Sequence, residues 1–127
     1  MPIEFHVRPE EALIVARFHG EITVEALRDY NVRLRAHPAF HPGFRELIEL
    51  DGIRPRLDFR QMAEYRDWFV QLAPLRCSAI VATDAFAYGM ARQFATLAGQ
   101  DSAHMRVFRI EATARAWLST QAPGLAP

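Results

Sequence analysis

Apolar and polar residues alternate from Ile3 to Arg8, and this period of two is typical of a half-buried β-strand. Residues 12–18 are mainly apolar and predict a second strand. The segment 9–11 between them has the composition of a turn, so we expect the two strands to form a hairpin. Gly20 is expected to end the second strand.

Three later segments carry apolar residues at helical spacing, and each follows a residue that can cap a helix N-terminus. The capping residues are Thr23, Asp58 and the pair Thr83-Asp84. Pro38, Pro74 and Gly99 are expected to close the three helices. The residues expected to face the core are Val24, Leu27, Tyr30, Asn31 and Leu34 in the first helix, Met62, Tyr65, Phe69 and Leu72 with Trp68 beside them in the second, and Phe86, Met90, Phe94 and Leu97 in the third.

Further strands are predicted at 46–50, 77–82 and 105–110, and Asp51-Gly52 is expected to close the first of these. A closing helix is predicted at 111–118, docked by Trp117 and Leu118. The resulting order, β-β-α-β-α-β-α-β-α, predicts an α/β domain with a mixed five-stranded sheet and an antiparallel N-terminal edge strand. We expect residues 1–120 to form a single domain and 121–127 a flexible C-terminal tail.

The second and fourth strands are apolar at successive positions, as strands covered on both faces are. Right-handed crossovers between neighbouring parallel strands would place the helices on one face of the sheet. The other face then needs a cover, and a second copy of the chain is the simplest candidate. The patterning therefore predicts a homodimer.

Charge and cysteine content argue against several kinds of partner and location. The formal net charge is zero and all 15 cations are Arg, so we expect no long-range attraction to nucleic acid or to an anionic membrane. Cys77 is the single cysteine, and its apolar surroundings predict a buried, inert thiol. Neither a signal peptide nor an apolar run long enough for a membrane span is found. We therefore expect a cytoplasmic protein without integral membrane association.

Several short segments follow one another in an order and spacing that span nearly the whole chain. They are Gly20-Glu-Ile-Thr-Val-Glu-Ala-Leu, Pro38-Ala-Phe-His-Pro-Gly-Phe, Leu47-Ile-Glu-Leu-Asp, Tyr88-Gly-Met-Ala-Arg and Val107-Phe-Arg-Ile-Glu-Ala-Thr-Ala-Arg-Ala-Trp-Leu. In these segments the chain resembles the SpoIIAA-like family, a bacterial branch of the STAS/SEC14-type domains. The resemblance implies a β-α superhelix with its strands in consecutive order.

The same resemblance implies two kinds of activity. STAS relatives act as protein-binding switches, in which a Ser or Thr beside an Asp, between a strand and the next helix, is phosphorylated. The corresponding stretch of this chain, residues 51–58, contains no hydroxyl residue, so the phospho-switch does not carry over. The SEC14-type relatives suggest a site for an apolar small molecule or lipid, an inference from fold analogy.

A ligand is expected at the carboxyl ends of the central strands, because helix N-termini point their N–H groups at that edge. Asp84, Tyr88 and Arg92 lie there at i,i+4 spacing and could bind a polar head group, with Phe86 and Trp68 nearby for an apolar tail. Alternatively, Asp84 only caps the helix and Arg92 is solvated. The predicted ligand-binding residues are Asp51, Thr83, Asp84, Tyr88, Arg92 and Trp68.

The sequence contains no motif for catalysis or for metal binding. His37 and His41 are four residues apart, but each precedes a proline, which disfavours the helical register that would bring them together. No Gly-x-Ser-x-Gly elbow and no Gly-rich phosphate loop is present, so no catalytic residue and no cofactor is predicted.

The leading interpretation is a non-enzymatic STAS-like regulatory or interaction module that binds a partner protein, itself as a homodimer, or both. The alternative is a module that binds a small amphipathic or lipid-like ligand near the third helix. A third interpretation is a small hydrolase that uses one of the carboxylates.

Overall fold

In the computed structural model, which describes residues 2–97 and 104–124, strands and helices alternate as the sequence predicts. The elements are β1 (Ile3–Arg8), a 3-10 turn (Pro9–Glu11), β2 (Leu13–Ile22), α1 (Val24–Ala36), β3 (Arg45–Pro55), α2 (Phe59–Phe69), β4 (Cys77–Ala82), α3 (Ala85–Leu97), β5 (Met105–Phe108) and α4 (Glu111–Ser119). The strands form one sheet in the order β1-β2-β3-β4-β5. β1 is antiparallel to β2 and the other pairs are parallel, so the predicted mixed five-stranded α/β sheet is confirmed. No helix within the described ranges is long and apolar enough to cross a membrane.

β2 and β3 run past the glycines that were expected to end them. Gly20 and Gly52 both have positive φ, and the register between β2 and β3 shifts at Gly20. Beyond the shift the strands pair again, from Gly20 with Ile53 to Ile22 with Pro55. The predicted ends were wrong because a glycine in the left-handed region can form a β-bulge and let pairing continue.

The helices cover both faces of the sheet, so the expectation that they share one face was wrong. Ile14, Ile48 and Ile80 face the helices α1 to α3 in one apolar cluster. Leu47, Cys77, Ala79 and Val81 point to the opposite face and pack against Ala114 and Leu118 of α4. The crossover rule fixes helices that connect two parallel strands, whereas α4 follows the last strand and is free to cover the other face.

The third helix turns a different set of residues to the sheet from the set that its pattern predicts. Phe86, expected to face inward, is 66% exposed, while Ala87, Ala91 and Ala95 are buried. The start of α3 is set by the side chain of Asp84, which accepts a hydrogen bond from the Ala87 amide at 2.8 Å. From that start, the small residues at i, i+4 and i+8 fall on the sheet side.

Other element ends differ by a few residues from their predictions. α2 ends at Phe69 rather than near Pro74, because residues 70–72 form a turn before the proline. β5 ends at Phe108 rather than at Ile110, which lies outside the strand as the N-cap of α4. Gly99, expected to end α3, lies outside the described residues.

The end of the chain is attached to the loop before β3. Gly124 donates its amide hydrogen to the carbonyl of Gly43 at 2.9 Å. Arg76 donates to the carbonyl of Ala122 at 2.8 Å, and Arg45 donates to that of Leu118 at 2.9 Å. Residues 121–124 of the predicted tail are therefore held against the domain in this structure.

Replacing Gly43 with Ala should release this attachment. A Cβ at Gly43 would lie 2.2 Å from the carbonyl oxygen of Gly124, so one of the two segments must move. We expect faster hydrogen exchange of the Gly124 amide and a stability loss of about 1–3 kcal/mol in urea unfolding. Gly89→Ala is the control, because a Cβ there meets nothing within 4 Å, and it should leave stability unchanged or raise it by up to about 1 kcal/mol. Unchanged exchange at Gly124 in Gly43→Ala would contradict the described contact.

Candidate functional site

A cavity of about 270 Å³ lies between the sheet and the helices α1 to α3. An engineered apolar cavity of roughly 150 Å³ is large enough to hold benzene, so this one has room for a larger molecule. The small side chains of Ala87 and Ala91 line it from α3, where larger residues would fill the space. The apolar part of the wall includes Phe18, Ile22, Leu27, Ile48, Ile53, Leu57, Met62, Phe69, Ile80, Met90 and Phe94.

A carboxyl group, a phenol and a hydroxyl meet at one end of the cavity. Glu46 is buried at 5% exposure and accepts hydrogen bonds from Tyr30 Oη and, at 2.7 Å, from Ser78 Oγ. Burial raises the pKa of the Glu46 carboxyl, and the two hydrogen bonds oppose that rise. Burial, reinforced by the charge of Glu46, raises the pKa of Tyr30 well above its ordinary value. The two donors occupy both carboxylate oxygens of Glu46.

A second group of polar side chains joins this end of the cavity from α1 and α2. Asn31 donates from Nδ2 to Tyr65 Oη at 2.8 Å, and its Oδ1 accepts from Arg35 at 2.9 Å. Arg35 also donates to the carbonyl of Ala73 at 2.8 Å, while its Nε is buried and has no partner in the part of the chain that the structure describes. Burial raises the pKa of Tyr65, so its phenol keeps its proton at neutral pH.

The cavity has a polar end and an apolar end. Glu46 and Ser78 are paired across β3 and β4 near the amino ends of these strands. At the carboxyl ends of β2 and β3 the wall is formed by Ile22, Ile53 and Pro55. Ligands of parallel sheets are expected at the carboxyl ends of the strands, which is the opposite edge. For this reason these polar residues were not predicted as site residues from the sequence. Their signal was available: Glu46 has the same strand parity as Ile48, which faces the core, and Tyr30 and Tyr65 carry hydroxyl groups in the apolar stripes of two helices.

Four of the six predicted ligand-binding residues lie together at the start of α3. The Tyr88 ring is flanked by the guanidinium groups of Arg92 and Arg109, at 5.7 and 5.4 Å from its centroid. Arg109 also donates to the carbonyl of Thr83 at 2.7 Å. Asp84 caps the helix, as the sequence predicts. This cluster is on the surface, and none of its members lines the cavity described above.

The other two predicted residues lie elsewhere. Asp51 forms an ion pair with Arg17, and the hydrogen bond from Arg17 lowers the pKa of the Asp51 carboxyl. Trp68 packs beside Tyr65 on α2, with their ring centroids 5.9 Å apart. The guanidinium of Arg28 lies 5.5 Å from the centroid of the Trp68 ring. The structure therefore does not bring Asp51 and Trp68 together with Tyr88.

The two histidines considered as metal ligands order the loop between α1 and β3. Nδ1 of His37 accepts from the amide of Ala39 at 3.1 Å, and Nδ1 of His41 accepts from that of Gly43 at 2.8 Å. Within residues 2–97 and 104–124, no three His, Cys, Asp or Glu side chains are grouped to hold a metal ion. Cys77 is buried, and its burial raises the pKa of the thiol, which is the behaviour of an unreactive cysteine.

Replacing Glu46 with Gln should remove a pH dependence of stability. The native pKa of Glu46 is raised above its ordinary value of 4.5, so between these two values the folded state binds more protons than the unfolded state. The free energy of unfolding therefore falls as pH rises from the unfolded pKa of Glu46 to its native pKa. Below the unfolded pKa the carboxyl is protonated in both states, so the free energy of unfolding does not change with pH through this group. Gln cannot ionise, so the stability of Glu46→Gln relative to the wild type should increase from pH 5 to pH 8 in urea unfolding. A difference that does not change with pH would contradict the buried carboxyl.

Comparison of the chain with protein-family models and with curated proteins gives no match. The resemblance to the SpoIIAA-like family therefore stays a prediction.

Proposed function

We propose that this domain binds a small, mainly apolar molecule in the cavity between its sheet and helices α1 to α3, as a carrier or a sensor. The observation that carries the proposal is a cavity of about 270 Å³ with apolar walls and a single buried polar end. Ligand sites commonly combine a mostly apolar lining with a few polar groups that fix orientation. The third helix forms one wall, so the proposal retains the predicted amphipathic ligand near α3 but places its polar end at Tyr65 and Glu46.

The volume limits the size and the affinity of such a ligand. A cavity of roughly 150 Å³ holds benzene, which has six non-hydrogen atoms. Scaled by volume, the present cavity holds a molecule of at most about 12 non-hydrogen atoms. If each atom contributes about 0.5 kcal/mol, the binding free energy is about 6 kcal/mol and the dissociation constant is on the order of tens of micromolar. A probe of naphthalene size is therefore suitable for the tests below.

Native mass spectrometry of the gently purified protein tests the proposal. We expect an adduct of a small molecule on the chain or, after addition of 2-ethylnaphthalene, a saturable 1:1 complex. Arg92→Ala is a matched control, because Arg92 is exposed and lies outside the cavity. The proposal fails if neither species forms. Loss of the complex in Arg92→Ala would move the site to the surface cluster around Tyr88.

The STAS-like regulatory or interaction module is the second candidate function. The observation that favours it is the consecutive order of the five strands, which the resemblance implies. α4 covers the apolar face formed by β3, β4 and β5, so that face does not need a second copy of the chain to cover it. Sedimentation velocity tests the dimer directly: a monomer at micromolar concentration would contradict it.

A further inference from the structure

We infer that the ligand of the cavity carries an uncharged, hydrogen-bond-accepting oxygen, such as a ketone, ester or amide carbonyl, to which Tyr65 Oη donates. This inference rests on the proposed function and names the chemical class of its ligand. It assigns Tyr65 as the residue that selects the polar group of the ligand.

The polar end of the cavity holds two buried donor groups whose hydrogens meet no acceptor in the described part of the chain. Tyr65 Oη accepts from Asn31 and donates to no group within residues 2–97 and 104–124. The Nε of Arg35 is a second buried donor, and it too has no partner among the described residues. Both oxygens of Glu46 and the Oδ1 of Asn31 already accept hydrogen bonds. A buried donor without a partner costs free energy, because it has lost its hydrogen bonds to water. A ligand that brings an acceptor to this position recovers that cost and therefore binds more tightly.

The charges around the cavity favour a neutral acceptor over an anion. Arg35 and Glu46 both line the cavity and carry groups of opposite charge. A ligand carboxylate would lose its hydration on entry into the same cavity as the buried acidic group of Glu46, and this loss is costly for a charged group. A carbonyl oxygen accepts hydrogen bonds from the same donors, and because it is uncharged it does not lose the hydration of a charged group on entry.

A pair of probes that differ in one group tests the inference. 2-Acetylnaphthalene and 2-ethylnaphthalene share the naphthalene ring and a two-carbon side chain, and the ketone differs only in the carbonyl oxygen that replaces two hydrogens and acts as an acceptor. In calorimetric titrations of the wild type we expect the ketone to bind about 3- to 10-fold more tightly, the value of one net hydrogen bond. In Tyr65→Phe the two probes should bind equally. In the control Tyr88→Phe, at a tyrosine outside the cavity, the preference should remain.

The outcomes separate this inference from the proposed function. If both probes bind the wild type equally, the inference is overturned and the proposed function stands. If neither binds, the proposed function itself fails. Tighter binding of 2-naphthoate than of the ketone would overturn the neutral acceptor and indicate an anionic ligand paired with Arg35.

A measurement on the wild type covers the case in which Tyr65→Phe does not fold. The carbonyl carbon of ¹³C-labelled 2-acetylnaphthalene should shift downfield on binding, relative to the free ketone in an apolar solvent, because a hydrogen bond polarises the carbonyl. A bound carbonyl shift equal to that in the apolar solvent would overturn the inference.

Discussion

Replacing Ala91 with Phe is expected to abolish ligand binding while leaving the fold intact. Ala91 is buried on α3 and lines the cavity, so the added phenyl ring occupies the space that a ligand would take. The affinity for 2-ethylnaphthalene should fall by about 100-fold or more, which is on the order of 3 kcal/mol. Because the ring fills existing space, the melting temperature should stay unchanged or rise.

Ala116→Phe is the matched control for this substitution. It adds the same side chain at an exposed position of α4 and should leave the affinity for 2-ethylnaphthalene unchanged. Calorimetric titration gives the affinity, and circular dichroism shows whether each variant is folded. A folded Ala91→Phe variant that binds the probe as the wild type does would place the ligand outside the cavity.

Replacing Leu47 with Ala is expected to cost about 2–5 kcal/mol of unfolding free energy, the range of large-to-small changes in a packed core. Leu47 is fully buried on the face of the sheet opposite the cavity, and it belongs to the cluster that includes Ala114 and Leu118 of α4. Urea unfolding gives the loss directly. The control is Val32→Ala on the exposed part of α1, which should change stability by less than about 0.5 kcal/mol.

The same experiment tests what covers this face of the sheet. If α4 of the same chain covers Leu47, the unfolding free energies of the wild type and of Leu47→Ala should not depend on protein concentration. A stability that rises with concentration would favour the predicted homodimer instead. A loss below about 1 kcal/mol would show that α4 is only loosely docked on this cluster.

The sequence predicts the elements well because their local signals are strong. Thr23 and Asp58 cap α1 and α2 through hydrogen bonds to backbone amides at 3.1 and 2.8 Å. The nearly continuous apolar run of residues 77–82 forms a strand that is buried at every position. The face taken by α4 was not predictable in the same way. It depends on which surface remains open after three crossovers, a property of the tertiary structure.

The candidate site was predicted less well than the fold. The residues favoured from sequence were polar or aromatic, and the structure places four of them in a surface cluster around Tyr88. The cavity lies instead where the small side chains of Ala87 and Ala91 on α3 leave space. Its polar end depends on Tyr30, Ser78 and Tyr65, residues that are far apart in sequence and whose contacts no local pattern reveals.

The central claim is that a small apolar molecule binds between the sheet and helices α1 to α3. Methyl NMR spectra recorded during a titration with 2-acetylnaphthalene test it most directly. We expect saturable shifts for the methyl groups of Ile48, Ile80 and Met62, which line the cavity, and no shifts for those of Ala114 and Leu118 on α4. The absence of saturable shifts, or shifts confined to methyl groups outside the cavity, would contradict it.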